Sequence, residues 1–416
     1  MGRILKLKCA KCGLEYAPQE KVCICENRDD GRLDIMYDYE IVKDLFRPEG
    51  RDESSGVWRY RELLPVEQEK AMITLGEGNT PLIKAGRLAE ELGMTGLRLK
   101  DEARNPTGSF KDRSMAVGAS KALEFGVSTV ATASSGNAAA ALAAYSARAG
   151  LACYAFVPEK APQEKVSQIL LYGANVFRVR RDGTSEDPTV RALRIVVDQF
   201  HWYPCPSFGP FNPYQVEGPK TISYELIEQL DGNVPDWIMI PVGAACLLAG
   251  VWKGFRDLYE LGMINELPRL VAVQPSGNAP LVEAFKHAST SFEKEHFKET
   301  STIADALSDP FPWDGDAGLE ALKDTKGLAE DVSDKELLDA EKLLASKEGL
   351  FASPSGAAGL AGLQKLRNAG VIDHHDSVTV LVTDTGFKYL SSLYSLGRKS
   401  QIISPTFENL QRTQEG

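Results

Sequence analysis

"RNPTGSFKDRSM", residues 104–115, sets Lys111 directly behind an aromatic residue at the close of a small, polar turn, where a helical pattern begins. Upstream, "LRLKDEA" (97–103) has the composition of a strand, and downstream "FKDRSMAVGASKALEFG" (110–126) predicts a helix that a glycine terminates. Strand, polar turn and helix make half of a parallel-sheet unit, and the chain repeats it. "VSTVATA" (127–133), "LACYAFVP" (151–158), "ANVFRVR" (174–180), "DWIMIPVG" (236–243), "RLVAVQP" (269–275) and "SVTVLVT" (377–383) read as strands. Between and after them, "NAAAALAAYSARAG" (137–150), "PQEKVSQILLYG" (162–173), "LLAGVWKGFRDLYELG" (247–262), "DKELLDAEKLLASKEG" (334–349), "GAAGLAGLQKLRNAG" (356–370) and "FKYLSSLYSLG" (387–397) read as helices. Apolar strands alternating with helices predict an α/β fold with open, mostly parallel sheets covered on both faces.

The chain of 416 residues is too long for one small core, so two or three subdomains are expected. A net charge of −11 argues against a general nucleic-acid or anionic-membrane binder, which needs a basic face. No run of eighteen apolar residues predicts a membrane-spanning helix, and the N-terminus lacks a signal-peptide core. Seven cysteines, an odd number, suit a reducing cytoplasm better than a disulfide framework. Four of those seven fall in the first twenty-five residues, as CxxC (Cys9, Cys12) and CxC (Cys23, Cys25). The pattern predicts a small zinc ribbon with a structural role, since four cysteine ligands leave no coordination position open. The alternative is a degenerate ribbon held by packing alone. The expected division is a Cys-rich segment (1–40), a large domain (41–114 and 206–404), a small domain (115–205) and a polar tail (405–416). Residues 26–70 are polar and charge-rich, with a loop at "RPEGRDESSG" (47–56).

In open parallel sheets ligands bind beyond the carboxyl ends of the strands. Four turns rich in small residues are placed there: "NPTGSFKD" (105–112), "SSGN" (134–137), "PVGAACLLAG" (241–250) and "TDTG" (383–386). Each leads into a helix start with free N–H groups and a partial positive charge, suited to carboxylate and phosphate. A lysine among such helix starts is pressed toward its neutral amine, the form that makes a Schiff base. The ordinary alternative is a solvated lysine.

Four stretches carry a family resemblance: "LGEGNTPL" (75–82), "NPTGSFKDR" (105–113), "SSGNAAAALAAYSARAG" (134–150) and "NPYQVEGPKT" (212–221). Together they resemble the threonine synthases, among the fold-type-II, tryptophan-synthase-β-like pyridoxal-phosphate enzymes. The likeness runs from "CAKCG" and "YDYE" at the front to "VTDTGFKYL" at the back. It implies a two-domain fold, a homodimer and pyridoxal 5′-phosphate as cofactor. Lys111 matches the Schiff-base lysine, preceded by Phe110 as in the family, and Asn137 matches the residue at the cofactor's 3′ oxygen. Gly243, Ala244, Ala245, Cys246 and Leu247 match its phosphate loop, and Thr383 the hydroxyl at its ring nitrogen. Ser134, Ser135 and Gly136 match the loop that receives the substrate carboxylate, with Thr80, Ser109 and Asn212 as further substrate positions. Arg191 lies in the region that gives the family an arginine for the substrate phosphate. The reaction implied is conversion of O-phosphohomoserine and water to threonine and phosphate, with Lys111 moving the α and β protons. Alternatives within the fold are an ammonia-lyase acting on serine, threonine or diaminopropionate, and a β-replacement enzyme. A catalytically silent relative is a third reading, against which Lys111, Asn137 and Thr383 argue.

Three departures stand out. The phosphate loop has Ala244, Ala245 and Cys246 where glycines are usual; both alanines are expected at negative φ, the alternative being a strained loop, and Cys246 is expected as a filler and not a reactive thiol. Gln215 and Pro219 stand where many relatives have a basic residue and Gln. Ser353 replaces a common Glu, and "FPWDGD" (311–316) is unfamiliar, a specificity element or a surface turn.

Overall fold

The computed structural model describes residues 3–47, 52–181, 183, 186–289, 292, 300–309 and 311–389. At the front, β1 (Ile4–Cys9), β2 (Glu15–Tyr16) and β3 (Leu33–Tyr37) form an antiparallel sheet in the order β2-β1-β3. Leu33, Ile35 and Tyr37 are buried at every second position, so one face of this ribbon packs inward. The Tyr37 hydroxyl donates to Glu217 at 3.0 Å and locks the ribbon to the body.

β4 (Leu82–Lys84) and β5 (Gly96–Asp101) begin the main sheet. The chain then leaves it for a smaller sheet of β6 (Thr129–Ala133), β7 (Ala152–Pro158), β8 (Asn175–Val179) and β9 (Tyr203–Pro204), and returns for β10 (Trp237–Pro241), β11 (Arg269–Pro275), β12 (Leu328–Val332) and β13 (Ser377–Val382). The main sheet has the order β12-β11-β10-β13-β5-β4 and the smaller one β8-β7-β6-β9. All their pairings are parallel except β4 against β5. β10, "WIMIP", is buried at every residue, as a central strand covered on both faces must be.

Small residues let helices come close. The helix Asn137–Ala149 is buried from Asn137 to Ser146, and its alanines admit the helix Lys111–Glu124 alongside. The helix Pro354–Asn368 lies on the main sheet through Gly359 and Gly362. A Cβ on Gly362 would meet Val273 Cγ2 at 2.5 Å.

Three expectations are revised. The polar 26–70 region holds a helix, Tyr39–Leu45, capped by Asp38, and a 3-10 stretch, Glu53–Leu63. Trp58, Tyr60 and Leu63 of that stretch are core residues hidden in the sequence among charges. The helix expected over 334–349 ends at Leu343 and continues as a π-helical turn, Leu344–Glu348, with Gly349 at φ 70°. Of the helix expected over 387–397 the described part is one 3-10 turn, Gly386–Lys388; the remainder and the 405–416 tail lie outside the described residues. Among the described residues no helix is long and apolar enough to cross a membrane.

Candidate active site

The turn after β5 delivers Lys111, and the strand end after β13 holds that turn. Phe110 N–H donates to Thr383 O at 3.1 Å, Thr385 N–H donates to Gly108 O at 3.0 Å, and Ser109 bridges Asp384. Gly108 sits at φ 84°, where a Cβ would also strike Thr385 Cγ2 at 2.7 Å. Within the turn, Thr107 N–H and Oγ1 donate to Asp112, whose carboxyl burial pushes up to about 7.

Behind Lys111 lies a buried ion network. The Arg113 guanidinium donates to Glu102 at 2.7 Å and Glu225 at 2.6 Å, and Lys100 Nζ donates to Glu225 at 2.7 Å. Asn79 N–H also donates to Glu225, at 2.8 Å, so the "LGEGNTPL" stretch serves to wrap this network.

In front of Lys111 is a cavity of about 260 Å3 lined by Phe110, Lys111, Ser134–Asn137, Gly243–Leu247, Asp305–Asp309 and Thr383. Lys111 Nζ lies 2.5 Å from Ser207 Oγ, 3.1 Å from Cys246 Sγ and 4.7 Å from the centre of the Phe110 ring. Ser207 holds a left-handed backbone, φ 70°. Its neighbours explain how: Gly209 N–H donates to Asp314 at 3.0 Å, and Phe208 stacks on Trp313 with ring centres 5.5 Å apart. The unfamiliar "FPWDGD" core is therefore the floor under Ser207. Asp305–Asp309, just before it, forms cavity wall.

The loop from β10 enters its helix, Cys246–Glu260, through Ala245 at φ 72° and ψ 1°. Ala245 thus contradicts the expected negative φ. The loop has to reverse into the helix inside a packed wall, and a left-handed residue does that in the fewest atoms. Ala244 keeps the expected sign. Its N–H faces Asp309, whose buried carboxyl is pushed up to about 6 by desolvation while Lys111 pulls the other way.

Asn137 is gripped at both ends of its amide. Nδ2 donates to Asp384 Oδ2 at 2.8 Å, and Oδ1 accepts from Lys388 Nζ at 2.8 Å. Ser353 Oγ donates to the other Asp384 oxygen at 2.5 Å and accepts from Gly356 N–H, so the serine at this position holds Asp384 and caps a helix. A wider recess of about 790 Å3 shares Ser135, Gly136 and Asn137 and is lined further by Arg104, Lys165, Thr385 and Lys388. Burial holds the Lys388 ammonium below the usual lysine range, against the pull of Asp112 and Asp384.

Lys111, Phe110, Ser134, Ser135, Gly136, Asn137, Gly243–Leu247 and Thr383 are thus brought together around one cavity. Ser109, next to Phe110 in the chain, is buried, and its Oγ has no hydrogen-bond partner among the described residues. Other expected substrate positions stand apart. Thr80 is fixed in the ion network, donating to Glu102 at 2.6 Å. Asn212 shapes a buried turn, donating to Pro204 O at 2.7 Å and accepting from Tyr214 and Gln215 N–H. Gln215 and Lys220 are likewise core residues. Arg191 lies on the helix Pro188–Phe200 outside the cavity lining. Cys9, Cys12 and Cys25 converge with Asp29, whereas Cys23 packs on the core instead. Ser207, Asp309 and Lys388 carry no local pattern that marks them, because each reaches the site by the path of the chain; Asp384 lies in the expected 383–386 turn, but its grip on Asn137 shows only in the fold.

The residues present fit pyridoxal phosphate. An amine, a glycine-started loop at a helix N-terminus and a hydroxyl share one cavity.

Residues 73–384 match the pyridoxal-phosphate dependent enzyme family. The chain is 40% identical over 383 residues to the threonine synthase of Methanocaldococcus jannaschii, covering 92% of each chain. It is 42% identical over 378 residues to the threonine synthase of Methanosarcina acetivorans, covering 91% of this chain and 90% of that one. Among solved structures it is similar to a fungal L-serine ammonia-lyase from Rhizomucor miehei, with TM-score 0.63 and 23% identity over 76% of this chain and 97% of that one. It is similar also to maize serine racemase, with TM-score 0.62 and 23% identity over 76% and 92%. At such identities the structures speak for the fold alone. The whole-length sequence likeness goes further, and with the lysine cavity it leads to one conclusion: the chain belongs to the pyridoxal-phosphate-dependent enzymes, in the family of the threonine synthases.

Proposed function

We propose that the protein is a threonine synthase, a carbon–oxygen lyase that releases phosphate from the γ carbon of O-phosphohomoserine and adds water at the β carbon. The observation that carries the reading is Lys111 Nζ, poised between Ser207 Oγ and Cys246 Sγ in a cavity faced by the serine loop 134–136. Lys111 would hold the cofactor's aldehyde carbon, the Gly243–Leu247 loop its phosphate, Asn137 its ring oxygen and Thr383 its ring nitrogen. Pyridoxal phosphate, when bound, supplies the electron sink that loosens bonds at the substrate's α carbon.

The chain's own residues do the rest. The Lys111 amine takes the α proton and then moves a proton at the β carbon, as a general base and acid must from within hydrogen-bond reach. Ser207 and Cys246 fix where that amine stands. The helix N-terminus at Asn137 and the loop 134–136 orient the substrate carboxylate. Arg104, Lys165 and Lys388 line the wider recess and give the leaving phosphate a positive wall, the part that the sequence reading gave to Arg191. The division into a large domain (41–114 and 206–404) and a small one (115–205), a homodimer, a cytoplasmic location and a structural zinc in the ribbon belong to the same proposal. Light scattering on the purified chain checks the dimer.

The deciding assay supplies O-phosphohomoserine, threonine and serine separately. Threonine and phosphate from the first support the reading; keto acid and ammonia from the other two, with none from the first, replace it with an ammonia-lyase. Lys111→Ala should lose turnover and the borohydride-reducible absorbance while keeping its fold by circular dichroism. A variant that still shows a reducible linkage would move the anchor to another lysine.

A further inference from the structure

Among the described residues, the ribbon's side chains that converge are not its four cysteines but Cys9, Cys12, Cys25 and Asp29. Cys9 ends β1, and Cys12 follows in a turn closed by Gly13 at φ 77°, with Gly13 N–H donating to Cys9 O at 2.9 Å. Cys25 and Asp29 come from the next loop. Cys12 Sγ and Cys25 Sγ are 3.5 Å apart, Cys9 Sγ is 3.8 Å from both Asp29 oxygens, and all four ligand atoms lie within 4.8 Å of one another. A tetrahedral zinc with bonds of about 2.3 Å to sulfur and 2.0–2.2 Å to oxygen needs ligand atoms roughly 3.6–3.8 Å apart. Cys23, by contrast, is turned by a bend at 23–24 onto the core beside Tyr203.

The surroundings are those of a metal site with its supporting hydrogen bonds in place. The backbone N–H groups of Lys11 and Cys12 face the Cys9 sulfur, and that of Leu14 faces the Cys12 sulfur. The Tyr16 hydroxyl reaches Cys25 Sγ at 3.5 Å and accepts from Glu26 N–H at 2.9 Å. Gly31 N–H donates to the Asp29 carboxylate at 2.9 Å, fixing its orientation. Gly31 itself must lack a side chain, since a Cβ there would lie 2.6 Å from Cys9 Sγ. Donors aimed at sulfur and a carboxylate held by a backbone amide are how a protein orients metal ligands.

We infer that Cys9, Cys12, Cys25 and Asp29 bind one tetrahedral zinc-class cation, in a Cys3Asp set that excludes Cys23 and orders the loop between β2 and β3. That loop has a task. Arg28 pairs with Asp198 at 2.8 Å and Asp30 with Arg194 at 2.7 Å, both partners on the helix Pro188–Phe200 that packs on the smaller sheet. Arg32 pairs with Glu320 at 3.5 Å, on the helix Gly315–Asp324 beside the main sheet. Arg28 and Asp30 both hold positive φ, 51° and 56°, an unfavourable backbone that persists only where its surroundings fix it. The cation supplies that fixing point, and the loop becomes a strut between the elements on either side of the cleft. Arg194, at one end, also stands over the Phe211 and Trp313 rings at 4.7 and 5.9 Å, next to the floor under Ser207.

The ligand set rests on the reading of the ribbon as zinc-binding, and the experiment separates the two. The full-length protein, purified and loaded with zinc, is analysed for metal content and by X-ray absorption. The expected result is one zinc per chain with three sulfurs near 2.3 Å and one oxygen near 2.0 Å. Cys23→Ser should keep that stoichiometry and spectrum, while Asp29→Asn should lose zinc to a chromophoric chelator roughly tenfold more readily or beyond. Four sulfurs, or loss of zinc in Cys23→Ser, or an unchanged zinc affinity in Asp29→Asn, would overturn the Cys3Asp set and leave a zinc ribbon standing. No zinc in the loaded wild-type protein would overturn both.

Discussion

Ala245 carries a Cβ through left-handed backbone at the mouth of the phosphate loop. That conformation costs an L-residue about 1–2 kcal/mol. Glycine removes the cost, and it also removes one buried methyl group worth about 0.8 kcal/mol, since Ala245 is 2% exposed and packs beside Gly318. The strain outweighs the methyl group, so Ala245→Gly should stabilise the cofactor-free protein by up to about 1 kcal/mol in urea unfolding. Ala244→Gly, at a position of negative φ, should only loosen the loop and cost about 0.5–1 kcal/mol. Equal responses of the two variants would show that the sign of φ does not govern this turn. Asp309 poses a second question at the same loop. Its carboxyl, pushed up to about 6 by burial, lines the same cavity as the Ala244 backbone, where a phosphate would approach. Below pH 6 it is neutral, and above pH 6 its charge opposes a phosphate dianion. The ratio of the cofactor dissociation constants, wild type over Asp309→Asn, should therefore rise as pH climbs from 5 to 8. Equilibrium dialysis at three pH values reads it, and a flat ratio would take Asp309 out of the phosphate site.

Elements were the most legible level, because period and punctuation are local. "RLVAVQP" is strand β11 to the residue, and glycines end the helices at 126 and 150 as expected. Legibility failed where packing overrode pattern. Trp58 and Tyr60 are core residues of a charge-rich stretch, since the neighbouring Arg59 also finds a partner, Glu228, at 3.0 Å. Cys23 and Cys25 share a spacing that is silent about the bend between them. The small-residue helix Pro354–Asn368 was readable as a helix, but its reason is tertiary. Gly362 is the point where helix backbone and Val273 meet, and a methyl there would need the sheet to move. Gly362→Ala gains helix propensity of about 0.8–1 kcal/mol and meets overpacking of about 1–3 kcal/mol. The contact is with both Val273 methyls, at 2.5 and 3.0 Å, so the steric clash should win and the variant lose about 1–2 kcal/mol. Stabilisation by denaturant titration would show that the helix is freer to shift than this packing allows.

Across the whole molecule, Lys111, Asn137 and Thr383 could be read from turns at strand ends, while Lys388 and Ser207 could not, because only the completed fold carries them to the site. The same holds for the ion network that ties the main sheet to the Lys111 turn. Arg113 and Lys100 hold Glu225 far below the usual carboxylate range although its burial pushes the other way. A depressed carboxylate contributes stability above its unfolded value, near 4.3, that is lost as pH falls toward the folded value. Glu217 adds to the same limb, held down by Lys220 and Lys253 against its own burial. Asp112, at about 7, and Asp309 and Asp314, at about 6, act with the opposite sign: their raised values give stability that is lost as pH rises from about 4 through 7. Stability should therefore crest in mildly acidic solution, falling on both sides. Glu225→Gln removes one acid limb and leaves Arg113 and Lys100 with Glu102 as the remaining carboxylate of the network. It should cost about 3–5 kcal/mol at pH 7, as breaking a buried pair does. The loss should shrink on acidification, because the wild-type protein forfeits Glu225 there and the variant has nothing left to forfeit. Unfolding measured at pH 3.5, 5 and 7 reads the difference. A penalty that stays constant across the three would mean that Glu225 holds the turn by shape and hydrogen bonding, with its charge irrelevant.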